Sequence, residues 1–435
     1  MTAFVIDSEK NPLMPTSSPR ARKLLKAGKA AVFRYNPFTI ILKERVGGDV
    51  QNVQFKVDPG SRTSGLALVA ETATKGKIAL WGANLTHRGG AIKDALESRR
   101  SLRRARRGRK TRYRAPRFNN RRRAEGWLTP SVMSRVDNIT NYLKKLQKFV
   151  PITSISQEEV RFDTQLMENP EISGVEYQQG TLHGFEVKEY LLEKWGRECV
   201  YCKKKDVPLQ VEHIVPRSKG GSHRPSNLTV SCEPCNLKKG SKSLGDFLSG
   251  NPTLLKKIKS QIKAPLKDAA AVNSSRKRLK KELEAFGLPL ELSTGGRTKF
   301  NRTQQGYKKD HWIDAVCVGV SGETVDLNGV KPLEIKAMGR GGRQVLNNDK
   351  FGFPRKQAPK SKKVIGEFQT GDFVKLVNKK GKYAGTWTGR LIGVDFSAKN
   401  PILKMKTPIG NAGIVWNKGF TLLQKTDGFN YARTS

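Results

Sequence analysis

"LQVEHIVPRSKGGSHRPSNLTVSCEPCNLKKG", residues 209–240, decides how this chain is read. It sets Glu212 beside His213, follows them with a proline and a Gly-Gly turn, and ends on Cys232-x-x-Cys235 with Asn236 next in line. A second pair, Cys199-x-x-Cys202, lies upstream, with 29 residues between Cys202 and Cys232. Two CxxC pairs at such a separation build a tetrahedral zinc site with four cysteine ligands, closed and therefore structural. The residues between them predict a tight hairpin, with a helix starting at the second pair. The unit is a ββα module of about 50 residues, too small for a large core and so dependent on its metal.

The chemistry inside that frame fits phosphodiester hydrolysis. One Mg2+ held by Glu212 and the amide oxygen of Asn236 would stabilise the leaving oxygen and the developing phosphorane charge. His213 titrates near working pH and would deprotonate the attacking water. Asn227 would orient the histidine-bearing strand. An isolated Glu-His pair is more often a surface pair than a base; the cysteine frame is what makes it specific. These residues resemble the HNH endonuclease motif, read here as His213, Asn227 and Asn236, with Glu212 where many such enzymes carry Asp.

Outward from the module, charge dominates. Lys plus Arg number 82 against 38 Asp plus Glu, a formal charge of +44 on 435 residues. So large a charge repels itself unless a polyanion neutralises it, and nucleic acid is the expected partner. Residues 99–123 hold thirteen arginines and one lysine with no acid. Ile92, Leu96, Arg99, Leu102 and Ala105 recur every three or four residues, so the first part can be helical, and Pro116 ends it. Against phosphates this becomes a comb of guanidiniums, each with paired donors: Arg99, Arg100, Arg103, Arg104, Arg106, Arg107, Arg109, Lys110, Arg112, Arg114 and Arg117. No stretch of about 18 apolar residues exists to span a membrane, and the N-terminal apolar run is too short for a signal peptide. A cytoplasmic, prokaryotic protein without disulfides is expected, nucleoid-associated when on DNA.

Along the rest of the chain, "AFVID" reads as a strand, "SEKNPLMP" as a turn, "SPRARKLLKAGKAAVF" as a basic helix and strand, and "FTIILK" as another strand. "VQFKVDPGSRTSGLAL" reads as a hairpin with Asp58 closing its first strand. Residues 131–150 form an amphipathic helix, and "ITSISQEEVRFD" a strand carrying Glu158. A basic, helix-rich stretch over 250–285 and a Gly/Thr loop, "STGGRTKFNR", lead to "KKDHWIDAVCVGV", which starts a helix with His311 and Asp314 one turn apart. After a basic connector from about 345, the alternation of "GDFVKLVNKKGKYAGTWTGRLIGVD" predicts a small twisted β-barrel. Three carboxylates from distant segments, Asp58, Glu158 and Asp314, could hold two Mg2+, with His311 as base or relay. Spacing alone leaves that open, since single acids and histidines are usually solvated or structural.

"VDPGSRTSGLAL", "ISQEEVRFD" and "HWIDA" resemble the three segments of a split RuvC nuclease of the RNase H fold. The arginine run resembles the bridge helix that follows the first segment, and "NPLMP" matches a further signature. In this order the chain resembles the IscB family, transposon-encoded RNA-guided nucleases related to the type II CRISPR effectors. The resemblance implies an α/β multidomain protein: an RNase H-like (RuvC) mixed-sheet core, an inserted zinc-stabilised ββα HNH domain, an Arg-rich bridge helix and a small β-rich C-terminal domain. It divides the chain into a PLMP domain (1–50), RuvC segment I (51–92), bridge helix (93–125), RuvC segment II (126–168), linker (169–185), HNH domain (186–248), linker and helix (249–285), RuvC segment III (286–345) and a C-terminal domain (346–435).

The resemblance also assigns Asp58, Glu158, His311 and Asp314 to the RuvC centre. Glu159 is a rival that strand alternation would turn to the other face. It further implies a structured guide RNA, held by a monomeric ribonucleoprotein, and double-stranded target DNA with a short flanking motif. HNH would cut the guide-paired strand and RuvC the displaced one. Two other readings stay open: a protein-guided, homing-type HNH nuclease on an inert scaffold, and a non-catalytic RNA-binding scaffold with a zinc knuckle.

Overall fold

The computed structural model describes residues 2–74, 76–108, 123–124, 126–159, 185–221, 225–262, 269–339, 346–349, 353–357, 364–395 and 400–433. The N-terminal part holds β1 (Thr2–Ile6), β2 (Pro12–Ser17), α1 (Ser18–Lys26), β3 (Ala30–Arg34) and β4 (Thr39–Leu42). Next come β5 (Val53–Asp58), β6 (Thr63–Thr72), β7 (Gly76–Thr86), α2 (Gly89–Gly108), α3 (Pro130–Leu146) and β8 (Ile152–Glu158). The middle holds α4 (Phe185–Lys194), β9 (Leu209–His213), β10 (Leu228–Cys232), α5 (Glu233–Lys239), α6 (Leu244–Phe247) and α7 (Pro252–Ile262). After it come α8 (Ala269–Glu284), β11 (Leu290–Ser293), α9 (Gly295–Gln304), α10 (His311–Val316) and β12 (Leu333–Ala337). Short strands β13 (Leu346–Asn348), β14 (Pro354–Gln357), β15 (Val364–Ile365) and β16 (Phe368–Gln369) precede β17 (Phe373–Asn378) and β18 (Gly385–Asp395). The chain ends through β19 (Ile402–Thr407), β20 (Gly410–Val415), β21 (Phe420–Gln424) and β22 (Phe429–Arg433).

Two compact units result: Met1–Glu159 with Ser275–Ser435, and Val160–Ser274 between them in sequence. The larger is built on a seven-stranded sheet of order β11-β8-β5-β6-β7-β12-β22. β5 pairs with β6 and β6 with β7 antiparallel, whereas β8 lies parallel to β5, β11 parallel to β8 and β12 parallel to β7. Alternation sorts the sheet into two faces. Val53, Phe55, Val57, Leu66 and Leu68 bury one face with Ile139, Tyr142 and Leu143 of α3 and Leu279 and Leu283 of α8. Ala67, Val69 and Ala79 bury the other against Trp312, Ala315 and Val316 of α10. Gly65 makes that approach possible: a Cβ there would lie 1.7 Å from the His311 carbonyl oxygen.

A four-stranded sheet, β2-β1-β4-β3, forms the N-terminal module of this unit, and a five-stranded sheet, β20-β19-β18-β17-β21, its C-terminal one. Three local expectations are corrected. "PLMP" is strand β2 rather than turn, the actual turn being organised by Asp7, whose carboxylate accepts from the Glu9 and Asn11 amides. "GGRTKFNR" is helix α9, because Thr294 caps it by accepting from Arg297 N and because Thr298 and Asn301 give it a buried face. The last strand, β22, leaves the C-terminal module and pairs with β12 at the edge of the large sheet, so that module does not run unbroken to residue 435.

The smaller unit has a separate core in which Tyr190 and Leu191 of α4 and Trp195 just after it meet Ile214, Leu228 and Val230 of the β9–β10 hairpin. The expected ββα order is present as β9, β10 and α5.

Candidate functional site

The hairpin β9–β10 pairs His213 with Leu228 and Glu212 with Thr229. Neighbours along a strand face opposite ways, so Glu212 and His213 lie on different faces of the hairpin. Glu212 is buried and meets the equally buried Lys239 of α5, Oε1 to Nζ at 2.7 Å. The same ammonium donates to the His213 carbonyl at 2.8 Å, so one lysine holds both halves of the motif. Burial pushes the Glu212 carboxyl above its usual range; Lys239 opposes that shift without cancelling it. Asn236, one turn before Lys239 on α5, donates from Nδ2 to Gln210 Oε1 at 2.7 Å.

Asn227 sits where the two strands meet the proline turn. Its Oδ1 accepts from Val215 N at 2.9 Å, its Nδ2 donates to Val215 O at 3.1 Å, and its own carbonyl accepts from Ile214 N at 2.8 Å. The side chain thus clamps the backbone directly after His213. Gly221 closes the turn because a Cβ there would stand 1.8 Å from the Val215 carbonyl oxygen. The oxygens of Glu212 and Asn236, on facing elements, are the hard donors that Mg2+ takes. Sequence reading found these residues but not Lys239, which resembles any lysine late in a helix.

Cys199, Cys202, Cys232 and Cys235 bring their sulfurs within 4.8 Å of one another, with 3.6 Å between those of Cys202 and Cys232. All are free thiols. Four thiolates in such a cradle repel unless a cation lies among them, and an all-sulfur tetrahedral set suits Zn2+. Among the described residues this is the group of His, Cys, Asp and Glu side chains close enough to share a metal.

In the larger unit, Asp58 ends β5 and Glu158 ends the adjacent parallel β8, one residue past the Val57–Gln157 pair. Period-two alternation puts Lys56 and Asp58 on one face of β5, and Ser156 and Glu158 on the corresponding face of β8. Lys56 marks that face as the α10 side: it is wholly buried and donates at 2.6 Å to both the Val318 carbonyl and Ser321 Oγ. Burial lowers its ammonium from 10.5 to about 7. Asp314 lies on α10, and His311, its first residue, is exposed. Glu159 follows the strand, its amide donating to the Ser293 carbonyl at 2.7 Å.

Two of these carboxylates have arginine partners that spacing did not suggest. Arg276 of α8 lies 3.4 Å from Glu158, and Arg302 of α9 lies 2.8 Å from Asp314. Asp58, Glu158 and Asp314 each offer the hard oxygens that Mg2+ takes, but among the described residues they do not lie within metal-sharing distance of one another. Elsewhere in this unit, half-buried His87 lies between Ser64 Oγ at 2.7 Å and the Asn138 amide at 3.2 Å, and desolvation lowers its pKa to about 3.

The arginine-rich segment starts as the regular helix α2. Arg99, Arg100, Arg103, Arg104 and Arg107 are exposed on it, as are Leu96 and Leu102 of its apolar stripe. The side chain of Arg106 and the whole of Arg109, Lys110, Arg112, Arg114 and Arg117 lie outside the described residues. So does the stretch Val160–Asp163 that was read as continuing β8. No helix among the described residues is long and apolar enough to cross a membrane.

Residues 3–180 match the RRXRR protein family, and residues 199–242 match the HNH endonuclease family. The chain is also similar to Streptococcus thermophilus Cas9 in complex with the AGAA PAM: 13% identity, 61% of this chain and 32% of that one covered, TM-score 0.21. The Type II-C Cas9 enzyme from Actinomyces naeslundii shows 12% identity, with 62% and 59% covered and a TM-score of 0.24. The chain therefore spans about a third of the first and under two thirds of the second. No curated protein matches it.

Proposed function

We propose, from the premise that this is an IscB-like nuclease chain carrying RRXRR and HNH endonuclease modules in that order, that it is an RNA-guided DNA endonuclease with two hydrolytic centres. The observation that carries the reading is the interrupted sheet. Asp58 and Glu158 end neighbouring strands on the face covered by α10, which bears Asp314, and the unit that holds the HNH match interrupts the chain between Glu159 and Ser275. The strand order, three antiparallel strands followed by two parallel ones, is that expected of an RNase H-like (RuvC) core and supports the same view.

At the HNH centre His213 takes the proton of the attacking water, its backbone fixed by Lys239 and by the Asn227 clamp. Glu212 and the Asn236 oxygen would hold Mg2+. In the larger unit Asp58, Glu158 and Asp314 would hold Mg2+, and exposed His311 would relay a proton. Bound there, Mg2+ would supply activation of water and offset charge on the leaving oxygen. Helix α2 grips the phosphates of a structured RNA and its heteroduplex. The C-terminal module reads a short flanking DNA motif.

His213→Ala should leave a nickase for the displaced strand, its loss on the guide-paired strand being about 10^2- to 10^4-fold. Asp58→Ala should give the reciprocal nick, read on strand-specifically labelled duplex. If either substitution removes both cuts, or neither, two independent centres are the wrong description. Sequencing the RNA that co-purifies from cells carrying the native locus tests guidance itself: one discrete structured RNA is expected, and a heterogeneous mixture would favour a mere RNA-binding scaffold.

A further inference from the structure

The chain leaves the larger unit at Glu158 and Glu159 and re-enters it at Ser275 and Arg276. These two points are tied together. Arg276 Nη2 lies 3.4 Å from Glu158 Oε1, and Arg276 Nε donates to the Pro59 carbonyl at 3.2 Å. The Arg276 carbonyl in turn accepts from Gln157 Nε2 at 3.2 Å. Because Pro59 directly follows Asp58, one buried guanidinium touches the ends of both strands that carry the carboxylates.

A divalent ion in this centre would neutralise the same charge that Arg276 neutralises, and it demands a close oxygen shell. Arg276 and Arg302 each hold one of the centre's carboxylates, Glu158 and Asp314. The two arginines differ. Arg302 forms an ion pair with Asp314, Nε to Oδ1 at 2.8 Å, whereas Arg276 donates to Glu158 at 3.4 Å and also to the Pro59 carbonyl. Losing Glu158 would leave Arg276 anchored on Pro59; losing Asp314 would strip Arg302 of its ion pair.

We propose that Arg276 is a latch on the centre in the larger unit: it competes with a divalent cation for Glu158 and yields that carboxylate when the cation is taken up. The proposal rests on the assignment of Asp58, Glu158 and Asp314 to a metal centre. Arg276 is a positioning residue, acting through Glu158 and the Asp58–Pro59 turn.

Mn2+ titrated into the full chain without substrate, with free Mn2+ read by electron paramagnetic resonance, tests it. The sites lost in Asp58→Asn define the binding that belongs to this centre. Arg276→Gln should bind that Mn2+ about tenfold more tightly, since an ion has one competing charge-assisted bond less to break. Arg276→Lys, which keeps the charge, should bind as the parent does. Unchanged or weaker binding in Arg276→Gln, with the Asp58→Asn loss intact, overturns the latch. Binding untouched by Asp58→Asn overturns the metal centre itself.

A second measurement does not depend on Arg276→Gln folding. In [15N]arginine-labelled protein the Arg276 Nε–H signal, identified by its absence in Arg276→Lys, should move on addition of Mg2+ and stay put in Asp58→Asn. A signal that stays put in the parent while Mn2+ binding depends on Asp58 also overturns the latch.

Discussion

The two units place carboxylates by different means. In the larger one, Asp58 and Glu158 sit at the ends of strands rooted in an extensive apolar core, and Glu158 meets a cation 118 residues away in sequence. In the smaller one, Glu212 sits on a two-stranded hairpin over a modest core, its cation comes from the next helix, and four cysteines tie the hairpin to its surroundings. A large core can hold an active-site edge by packing alone. A small module needs a bound ion to do the same, because too little apolar surface is buried to offset the entropy of ordering the chain.

The largest effect that would break this contrast is loss of the zinc. Chelation, or Cys232→Ser, should remove about 10 kcal/mol of binding free energy from the smaller unit and unfold it, while the larger unit stays folded. Limited proteolysis checks this: cleavage should concentrate between residues 185 and 262. A chelated protein that resists cleavage there would show that the small core suffices.

Salt should act on the other unit. If helix α2 supplies six or more phosphate contacts, RNA affinity should fall about 10^3-fold or more between 50 and 200 mM salt. Because α2 belongs to the larger unit, the slope should survive chelation. A slope that collapses with the zinc would move the main phosphate contacts to the smaller one.

Lys239→Met should cost the smaller unit about 3–5 kcal/mol, since it leaves Glu212 buried without its cation. Glu212→Gln added to it should recover much of that loss. Denaturant unfolding of the smaller unit measures both, and a neutral Lys239→Met would mean that Glu212 folds protonated.

The smallest effect is a difference in pH response. The Glu212 carboxyl is raised by burial, so the folded unit binds that proton more tightly than the unfolded chain does. Its contribution is present below the unfolded value of 4.5 and is lost as pH rises through the raised folded value. The gain from Glu212→Gln should therefore grow with pH, and the four-cysteine cluster, the same in both proteins, cancels from the difference. His87 runs the other way. It is lowered from 6.5 to about 3, so its contribution is intact above 6.5 and lost as pH falls towards 3. Thermal unfolding of His87→Gln against the parent over that window should show the parent losing relative stability on acidification; parallel curves would break the contrast.

Much of this was legible from local pattern. The hairpin ending at Asp58 follows from alternation and a turn, and the ββα module from two CxxC pairs around a glycine turn. Local pattern misled where composition outweighed capping: glycines and threonines suggested a loop over 294–302, but Thr294 caps a helix there with two buried side chains.

The sequence by itself determined the chemistry available: thiolates paired for a soft ion, acids and a histidine at strand ends, and a density of arginine that only a polyanion neutralises. Tertiary structure alone decided which cation meets which acid. Lys239 on Glu212, Arg276 on Glu158 and Arg302 on Asp314 join residues 12 to 118 positions apart. Such pairs leave no periodic trace along the chain, because they are chosen by how helices settle on strands rather than by the spacing within either. The same holds for β22, whose place beside β12 is set by the open edge of a sheet begun some 370 residues earlier.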